Sequence, residues 1–169
     1  QAAPGESASG FVQPNIALPR TMDGSFEKAF PEIVRFIDKT FRTKAEKQSR
    51  AIAGLSMGGY HSCHISKQYP ELFGYVGLFS AAIFKEKTDT YGIYSDFDKK
   101  LTTLFKGKNR PSLYYIAIGK TDFLYNDNQK LRKILDDNNL PYTYKETEGG
   151  HIWRNWRIYL ADFAPRLFK

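Results

Sequence analysis

The sequence predicts an α/β fold, in which a mostly parallel β-sheet has helices on both faces. Two short apolar runs, Ala51–Leu55 and Tyr75–Phe79, lack polar alternation and are therefore typical of strands that are buried on both faces. A segment with helical spacing lies between them, and alternating strands and helices build a parallel sheet. The length of 169 residues suits a single domain that spans residues 1–169.

The first part of the chain is predicted to contain a loop and a helix. Residues 1–24 are rich in Pro, Gly, Ser and Asn, which predicts an extended loop. A helix is expected from Ser25, and Pro31 either kinks or restarts it. The apolar residues of this helix have the spacing of one buried face, and they are Phe26, Phe30, Ile33, Val34, Ile37 and Phe41.

Strands and helices alternate through the rest of the chain. After the strand at 51–55, the pattern predicts a helix over 57–69, a strand over 75–79, a short helix over 96–105, a strand over 113–118, a helix over 129–138, a strand over 142–146 and a helical face from residue 152. Residues 84–111 are polar, rich in lysine and irregular, so we interpret them as an insertion near the functional site. Active sites on such sheets lie beyond the carboxyl ends of the strands.

The composition argues against several classes of protein. The net charge is +7, but the basic residues are scattered rather than gathered in a stripe, so no nucleic-acid partner is expected. No apolar run is long enough for a membrane span, and the N-terminal residues lack the pattern of a signal peptide. Cys63 is the single cysteine and the three histidines lack metal-ligand spacing, so we predict no metal and no other cofactor.

The motif G-x-S-x-G at residues 54–58 is the strongest indication of chemistry. It lies between a predicted buried strand and a predicted helix, which is the context of the nucleophile elbow of an α/β-hydrolase. The turn would lift the Ser56 hydroxyl out of the sheet. It would also place the backbone N–H of Met57 at a helix N-terminus, where it can stabilise an oxyanion. The alternative is a tight turn in which the glycines serve packing alone.

An acid and a base follow two later strands. Asp122 comes shortly after the strand at 113–118, and His151 comes shortly after the strand at 142–146. The order Ser, Asp, His along the chain is that of the α/β-hydrolases, in which the histidine accepts the serine proton and the aspartate orients the imidazole. Asp89 and Asp127 remain alternatives for the acid.

The other histidines are less suitable as the base. His61 and His64 lie on the helix that begins at Ser56, and a rigid helix carries their side chains away from the hydroxyl. We interpret both as packing or surface residues. A capping or surface role remains the alternative for His151.

Aromatic residues near the strand ends are candidates for substrate binding. Tyr60, Phe123 and Trp153 are the ones we select for an acyl or sugar pocket. Core packing, or exposure on loops without a role in binding, is the alternative for each of them.

Four segments carry a resemblance to a known family. They are RAIAGLSMGG at 50–59, PELFG at 70–74, GKTD at 119–122 and GGHIW at 149–153. These segments resemble the esterase D group, and within it carbohydrate esterase family one, the feruloyl and acetyl-xylan esterases. The resemblance implies a triad of Ser56, Asp122 and His151, and an oxyanion donor at the Met57 N–H. It also implies an ester-substituted polysaccharide or oligosaccharide as substrate and a secreted or periplasmic location.

The chain resembles only the C-terminal part of that family. Members have strands and a glycine-containing loop ahead of the region seen here, and this loop supplies the second oxyanion N–H. No buried strand is predicted before Ala51, so the strand at 51–55 would have an unpaired edge. We therefore expect the N-terminal strands to come from a companion fragment, another chain or a portion outside this sequence.

The predicted function is that of a serine carboxylic ester hydrolase working through an acyl-enzyme, with feruloyl or acetyl esters on plant xylan as the substrate class. Other esterase D-like activities, those of siderophore esterases and S-formylglutathione hydrolases, remain alternatives. A non-catalytic carbohydrate-binding module on the same scaffold is the alternative from a different functional class.

Overall fold

A computed structural model describes residues 21–84 and 88–169, so most of the predicted loop at 1–24 lies outside the described residues. The elements in chain order are α1 (Ser25–Thr40), β1 (Ala51–Leu55), α2 (Met57–Gln68), β2 (Tyr75–Phe79), α3 (Phe97–Leu104), β3 (Leu113–Gly119), α4 (Tyr125–Asp137), β4 (Thr143–Thr147) and α5 (Trp153–Phe163). Short 3₁₀ helices occupy Lys47–Ser49, Gly107–Asn109 and Ala164–Arg166.

The four strands form one parallel sheet in the order β1-β2-β3-β4. Leu55 pairs with Phe79 at the end of β1, and Gly119 pairs with Thr147 at the end of β4. Because every strand runs in the same direction, all the carboxyl ends lie along one edge of the sheet. The loops that follow β1, β3 and β4 therefore leave the sheet on the same side.

Helices cover both faces of this sheet, as the sequence predicts. Successive side chains on a strand point to opposite faces. On one face, the strands contribute residues to a core shared with α2, α3 and α4, including Val76, Leu78, Ile116, Cys63, Leu101 and Leu131. On the other face, Phe79, Tyr115 and Ala117 pack against Tyr159 and Phe163 of α5.

The structure decides one alternative for α1 and corrects the start of α4. Helix α1 continues through Pro31, so this proline does not restart the helix. Pro31 lies beyond the first turn of α1, so its missing N–H removes one backbone bond, the one to the Glu27 carbonyl. Helix α4 begins at Tyr125, earlier than the predicted start at 129, because Asp122 turns the chain by accepting the Leu124 N–H at 2.9 Å.

The predicted insertion at 84–111 packs beside α2. Ile93 and Tyr94 join Tyr60 in a buried cluster, and Met57 packs against that cluster. Leu101 of α3 is fully buried in the core. The described part of the insertion therefore borders the turn that carries Ser56.

An open apolar groove runs along the outer edge of the sheet. Within the described residues, β1 pairs with β2 alone. The apolar face of α1 is only partly covered, with Ile33 exposed by 45% and Ile37 by 39%, although the sequence pattern predicts one buried face. Helix α1 and the start of β1 border a groove of about 660 Å³, lined by Ile33, Ile37 and Ala51 among others.

Among the described residues, no helix is both long and apolar enough to cross a bilayer.

His64 gives the fold a pH dependence that can be measured. Burial holds the pKa of its imidazole well below the usual range, with Lys67 contributing as a nearby positive charge. As the pH falls below about 6.5, the unfolded state binds a proton at this position and the folded state does not. We therefore expect the free energy of unfolding to decrease with falling pH, and His64 to contribute at most about 1.4 kcal/mol per pH unit.

The substitution His64→Gln isolates this contribution. Urea unfolding of both proteins between pH 7.5 and 5 should give a shallower decline in unfolding free energy for the variant, because the other titrating groups are the same in both. Parallel pH curves for the two proteins would contradict the assignment of a neutral buried imidazole.

Candidate active site

The turn between β1 and α2 holds Ser56 in an unusual conformation. Its φ is 53° and its ψ is −116°, a region that a residue with a side chain rarely adopts. The Ser56 N–H donates to the Phe79 carbonyl at 2.8 Å, and the Ser56 carbonyl accepts the N–H of Ala82 at 3.1 Å. Such strain costs roughly 1–3 kcal/mol and persists where the surrounding structure enforces it, often at functional sites.

Glycines permit this turn by allowing close backbone contact. A Cβ on Gly54 would lie 2.2 Å from the carbonyl carbon of Gly58, and a Cβ on Gly59 would lie 2.6 Å from the Ala81 Cβ. Neither contact is possible for a larger residue. Met57, the first residue of α2, follows the turn, and the first N–H groups of a helix have no partner inside it.

Asp122 and His151 form a pair beyond the ends of β3 and β4. His151 Nδ1 lies 2.9 Å from Asp122 Oδ2 and 3.1 Å from Oδ1. The carboxylate is fully buried, whereas the imidazole side chain is 18% exposed. The arrangement leaves Nε2 of His151 as the ring nitrogen that is not used by Asp122.

The loop that carries His151 is fixed by the neighbouring loop and by α5. A Cβ on Gly119 would lie 2.1 Å from the Gly149 carbonyl oxygen, so the two loops are in backbone contact. Asn155, which is buried, donates from Nδ2 to the carbonyls of Glu148 and Gly150, both at 3.0 Å. Sequence reasoning missed Asn155; its place in the first turn after the Gly-Gly-His segment was the available signal.

Ser56 and His151 are both half-buried at this edge of the sheet, but no hydrogen bond joins them across the part of the chain that the structure describes. Catalytic hydrogen bonds are often long without substrate and shorten when it binds. Trp156 packs against the base, with its ring centroid 4.9 Å from that of His151.

The alternative acids and bases are held elsewhere. Asp89 accepts the backbone N–H groups of Tyr94 and Ser95, and Asp127 pairs with Lys130 at 3.3 Å on α4. His61 is buried against Glu27, with Nδ1 2.6 Å from Oε1.

The remaining histidine and the cysteine are core residues. His64 lies inside the fold, where its Nε2 is 3.3 Å from the Ile83 carbonyl. Burial raises the pKa of the Cys63 thiol to about 11, which makes it a poor nucleophile. Across residues 21–84 and 88–169, no group of three or more His, Cys, Asp or Glu could hold a metal ion.

The predicted substrate-binding aromatics separate into two kinds. Phe123 is 76% exposed and its ring lies 4.7 Å from His151, while Trp153 is 65% exposed and contacts Trp156 at 5.2 Å between ring centroids. The substrate role predicted for Tyr60 is wrong. Its side chain is fully buried against His64 and Tyr94, because the insertion packs over that face of α2.

The fold and the arrangement of these residues define the class of protein. A parallel sheet with helices on both faces, a strained serine turn and a downstream Asp–His pair together describe an α/β-hydrolase-type domain, of which this chain is a part. Residues 29–167 match the family model described as "Esterase: Putative esterase". The chain therefore belongs to this esterase family.

Two characterised proteins are similar in sequence. An acetyl esterase from Caldicellulosiruptor saccharolyticus is 29% identical over 156 residues, which covers 78% of this chain and 59% of that protein. An endo-1,4-beta-xylanase/feruloyl esterase from Xylanibacter ruminicola is 50% identical over 60 residues, 35% of this chain and 8% of that protein. The chain thus matches less than two thirds of the length of either relative.

Solved structures show the same fold. A CE1 ferulic acid esterase from Anaeromyces mucronatus superimposes with a TM-score of 0.74 at 22% identity, over 93% of this chain and 59% of that one. A fluorophosphonate-binding serine hydrolase from Staphylococcus aureus gives a TM-score of 0.72 at 22% identity, over 86% of this chain and 64% of that one. Both structures extend well beyond the part matched here.

Proposed function

We propose that this chain carries the catalytic triad of a serine carboxylic ester hydrolase, with Ser56 as nucleophile, His151 as base and Asp122 as acid. The observation that carries the proposal is the buried Asp122–His151 pair, which shares one edge of the sheet with a strained serine turn. Membership of an esterase family supports it.

The chemistry follows from these positions. Ser56 Oγ attacks the ester carbonyl carbon while Nε2 of His151 accepts the hydroxyl proton. The tetrahedral intermediate collapses, the alcohol leaves with that proton and an acyl-Ser56 ester remains. Water then attacks the acyl carbon by the same route and releases the acid. Asp122 holds the imidazole tautomer and stabilises the imidazolium.

Met57 supplies one donor to the developing oxyanion. Its backbone N–H lies at the start of α2, where the helix dipole favours negative charge. Oxyanion holes of this fold use a second N–H from a loop after an earlier strand. Loss of one donor lowers kcat by about 10²- to 10³-fold, so activity depends on a segment beyond those described here.

The substrate class we propose is a feruloyl or acetyl ester on xylan. The names of the two relatives, an acetyl esterase and a xylanase/feruloyl esterase, support this choice. The exposed rings of Phe123, against His151, and of Trp153, against Trp156, suit an aromatic acyl group or a sugar face. Such a polymer lies outside cells, so the function implies export.

We also propose that further strands complete the sheet. Within residues 21–84 and 88–169, β1 is paired on one side, and the start of β1 and the exposed apolar residues of α1 line one groove. Exposed strand edges with apolar neighbours favour association. The groove therefore suits the strands that precede this region in the longer relatives, whether they are joined to the chain or supplied by a companion.

Replacing Ser56 tests the proposed nucleophile. Ser56→Ala removes the attacking oxygen, so hydrolysis of p-nitrophenyl acetate should fall by at least about 10³-fold and the initial burst should disappear. Ser112→Ala, at an exposed site on the opposite end of the sheet, is the control. An unchanged rate in Ser56→Ala ends the proposal.

Replacing Asp122 tests the orientation of the base within the same experiment. Asp122→Asn should lower kcat by about 10⁴-fold because the amide favours the wrong imidazole tautomer. Asp137→Asn is the matched control, since Asp137 is an exposed residue of α4 that pairs with Lys133. Equal rates for the two variants would remove Asp122 from the mechanism.

Replacing the exposed aromatics tests the substrate class. Phe123→Ala and Trp153→Ala should each lower kcat/KM for methyl ferulate by about 5- to 50-fold, because each removes the face of a ring from the acyl or sugar site. The rate with p-nitrophenyl acetate should change less than threefold, which makes that substrate the internal reference. Equal losses on both esters would show that the rings support His151 rather than recognise the substrate.

The open groove generates a prediction about association. Size-exclusion chromatography of this chain alone should show self-association, and Ile33→Lys should reduce it because a charge is placed in the groove. Leu160→Lys is the control, at an equally accessible apolar site on α5 that lies outside the groove. A monomeric chain with full esterase activity would contradict the need for further strands.

A further inference from the structure

Ser80 lies directly after β2 in a strained conformation that the triad does not explain. It is fully buried and its φ is 46°, in the left-handed region that favours glycine. Its N–H donates to the Ala117 carbonyl at 2.8 Å, which extends the pairing with β3 past the end of β2. A serine is rarely kept in this conformation unless the surrounding structure enforces it, so its side chain is of interest.

The segment around Ser80 holds the backbone of Ser56. The residue before it, Phe79, accepts the Ser56 N–H, and Ala82 donates to the Ser56 carbonyl. Both polar groups of the Ser56 backbone are therefore bonded to residues 79–82. Any shift of this segment would move the proposed nucleophile.

The Ser80 side chain contacts helix α5. Its Oγ accepts the indole N–H of Trp156 at 3.2 Å. Trp156 is half-buried on α5, and its ring meets the His151 ring at 85° with 4.9 Å between centroids. This edge-to-face geometry is a favourable one for aromatic pairs and restricts rotation of both rings.

His151 is held by Asp122 and lies between two rings, the exposed ring of Phe123 and the half-buried ring of Trp156. Asp122 bonds to Nδ1 and fixes which nitrogen faces the substrate. Rotation of the ring about that bond, and its distance from Ser56, depend on the packing against it. Trp156 is the packing neighbour whose own hydrogen bond leads back to the segment that holds Ser56.

We propose that Ser80 and Trp156 are positioning residues that set the distance between the Ser56 hydroxyl and the His151 imidazole. The inference rests on the proposed function, since it assigns a role within that triad. The hydrogen bond between Ser80 and Trp156 thereby links the segment that holds Ser56 to the ring that packs against His151. A misplacement of 1 Å at a reacting group can cost about 10²-fold in rate, so such a link has kinetic consequences.

The test compares Ser80→Ala, Trp156→Phe and the double variant in the intact protein. Trp156→Phe keeps a ring against His151 but removes the N–H, and Ser80→Ala removes the acceptor. Each should lower kcat for p-nitrophenyl acetate by about 10-fold with KM changed less than twofold, because binding is preserved and proton transfer is not. The double variant should be no slower than the slower single variant, since both remove the same bond.

Tyr115→Phe is the matched control for a loss of stability alone. It removes the hydrogen bond from β3 to Asp162 on α5, at 2.9 Å, without touching His151. It should lower Tm to a similar degree and leave kcat within twofold. Effects of Ser80→Ala and Trp156→Phe that multiply in the double variant, or that equal those of Tyr115→Phe, would overturn the proposal. If Ser80→Ala does not fold, the comparison of kcat and Tm between Trp156→Phe and Tyr115→Phe is sufficient to test the proposal.

Labelling by a fluorophosphonate separates this inference from the function on which it rests. Reaction at Ser56 in the wild-type protein, slowed about 10-fold in Trp156→Phe, is the expected result. No labelling of Ser56 in the wild type would overturn the proposed function itself. Labelling at equal rates in the wild type and Trp156→Phe would leave that function standing and overturn the positioning role.

Discussion

Between β1 and α2 the backbone reverses so tightly that a single methyl group at Gly54 would lie 2.2 Å from the Gly58 carbonyl carbon. This close approach forces the positive φ of Ser56 and directs its backbone groups toward the end of β2. The strain is sustained because the turn is bonded on both sides and packed beneath by Ala81. The other residues of the candidate site follow strands that end on the same side of the sheet as this turn.

The second constraint is the contact between the loops after β3 and β4. The Gly149 carbonyl accepts the Thr121 N–H at 3.1 Å, and the absence of a side chain on Gly119 permits that approach. Asp122 and His151 follow on these two loops, so their pairing is a consequence of the backbone contact. Asn155 then prevents the second loop from moving by bonding two of its carbonyls.

The sequence was most informative where local chemistry and strand pattern agreed. Strands β1 and β2 have the predicted bounds, because short apolar runs next to glycine-rich turns have few alternatives. The pairing of Asp122 with His151 was also predictable, since both follow strands of one parallel sheet. Tyr60 was misassigned, because the face of α2 that it occupies is decided by how residues 93–94 pack, which no local pattern encodes.

The sequence does not predict which residues act by positioning a neighbouring side chain. The bond between Ser80 and Trp156 joins positions 76 residues apart, and neither residue belongs to a motif with a known chemical role. The apolar spacing of α1 correctly predicts a helix. It does not predict that part of the apolar face is exposed, since burial of that face depends on what lies across the groove. Long-range contacts of this kind are properties of the folded chain.

The order β1-β2-β3-β4 means that each strand pairs with the next one in the sequence. A sheet of this kind can grow by successive addition during synthesis, because each new strand finds its partner already in place. Among the described elements, the serine turn would be formed before the histidine loop, which α5 holds against the second face. On the proposed function, a nascent chain would then hold its nucleophile before the base that activates it is in place.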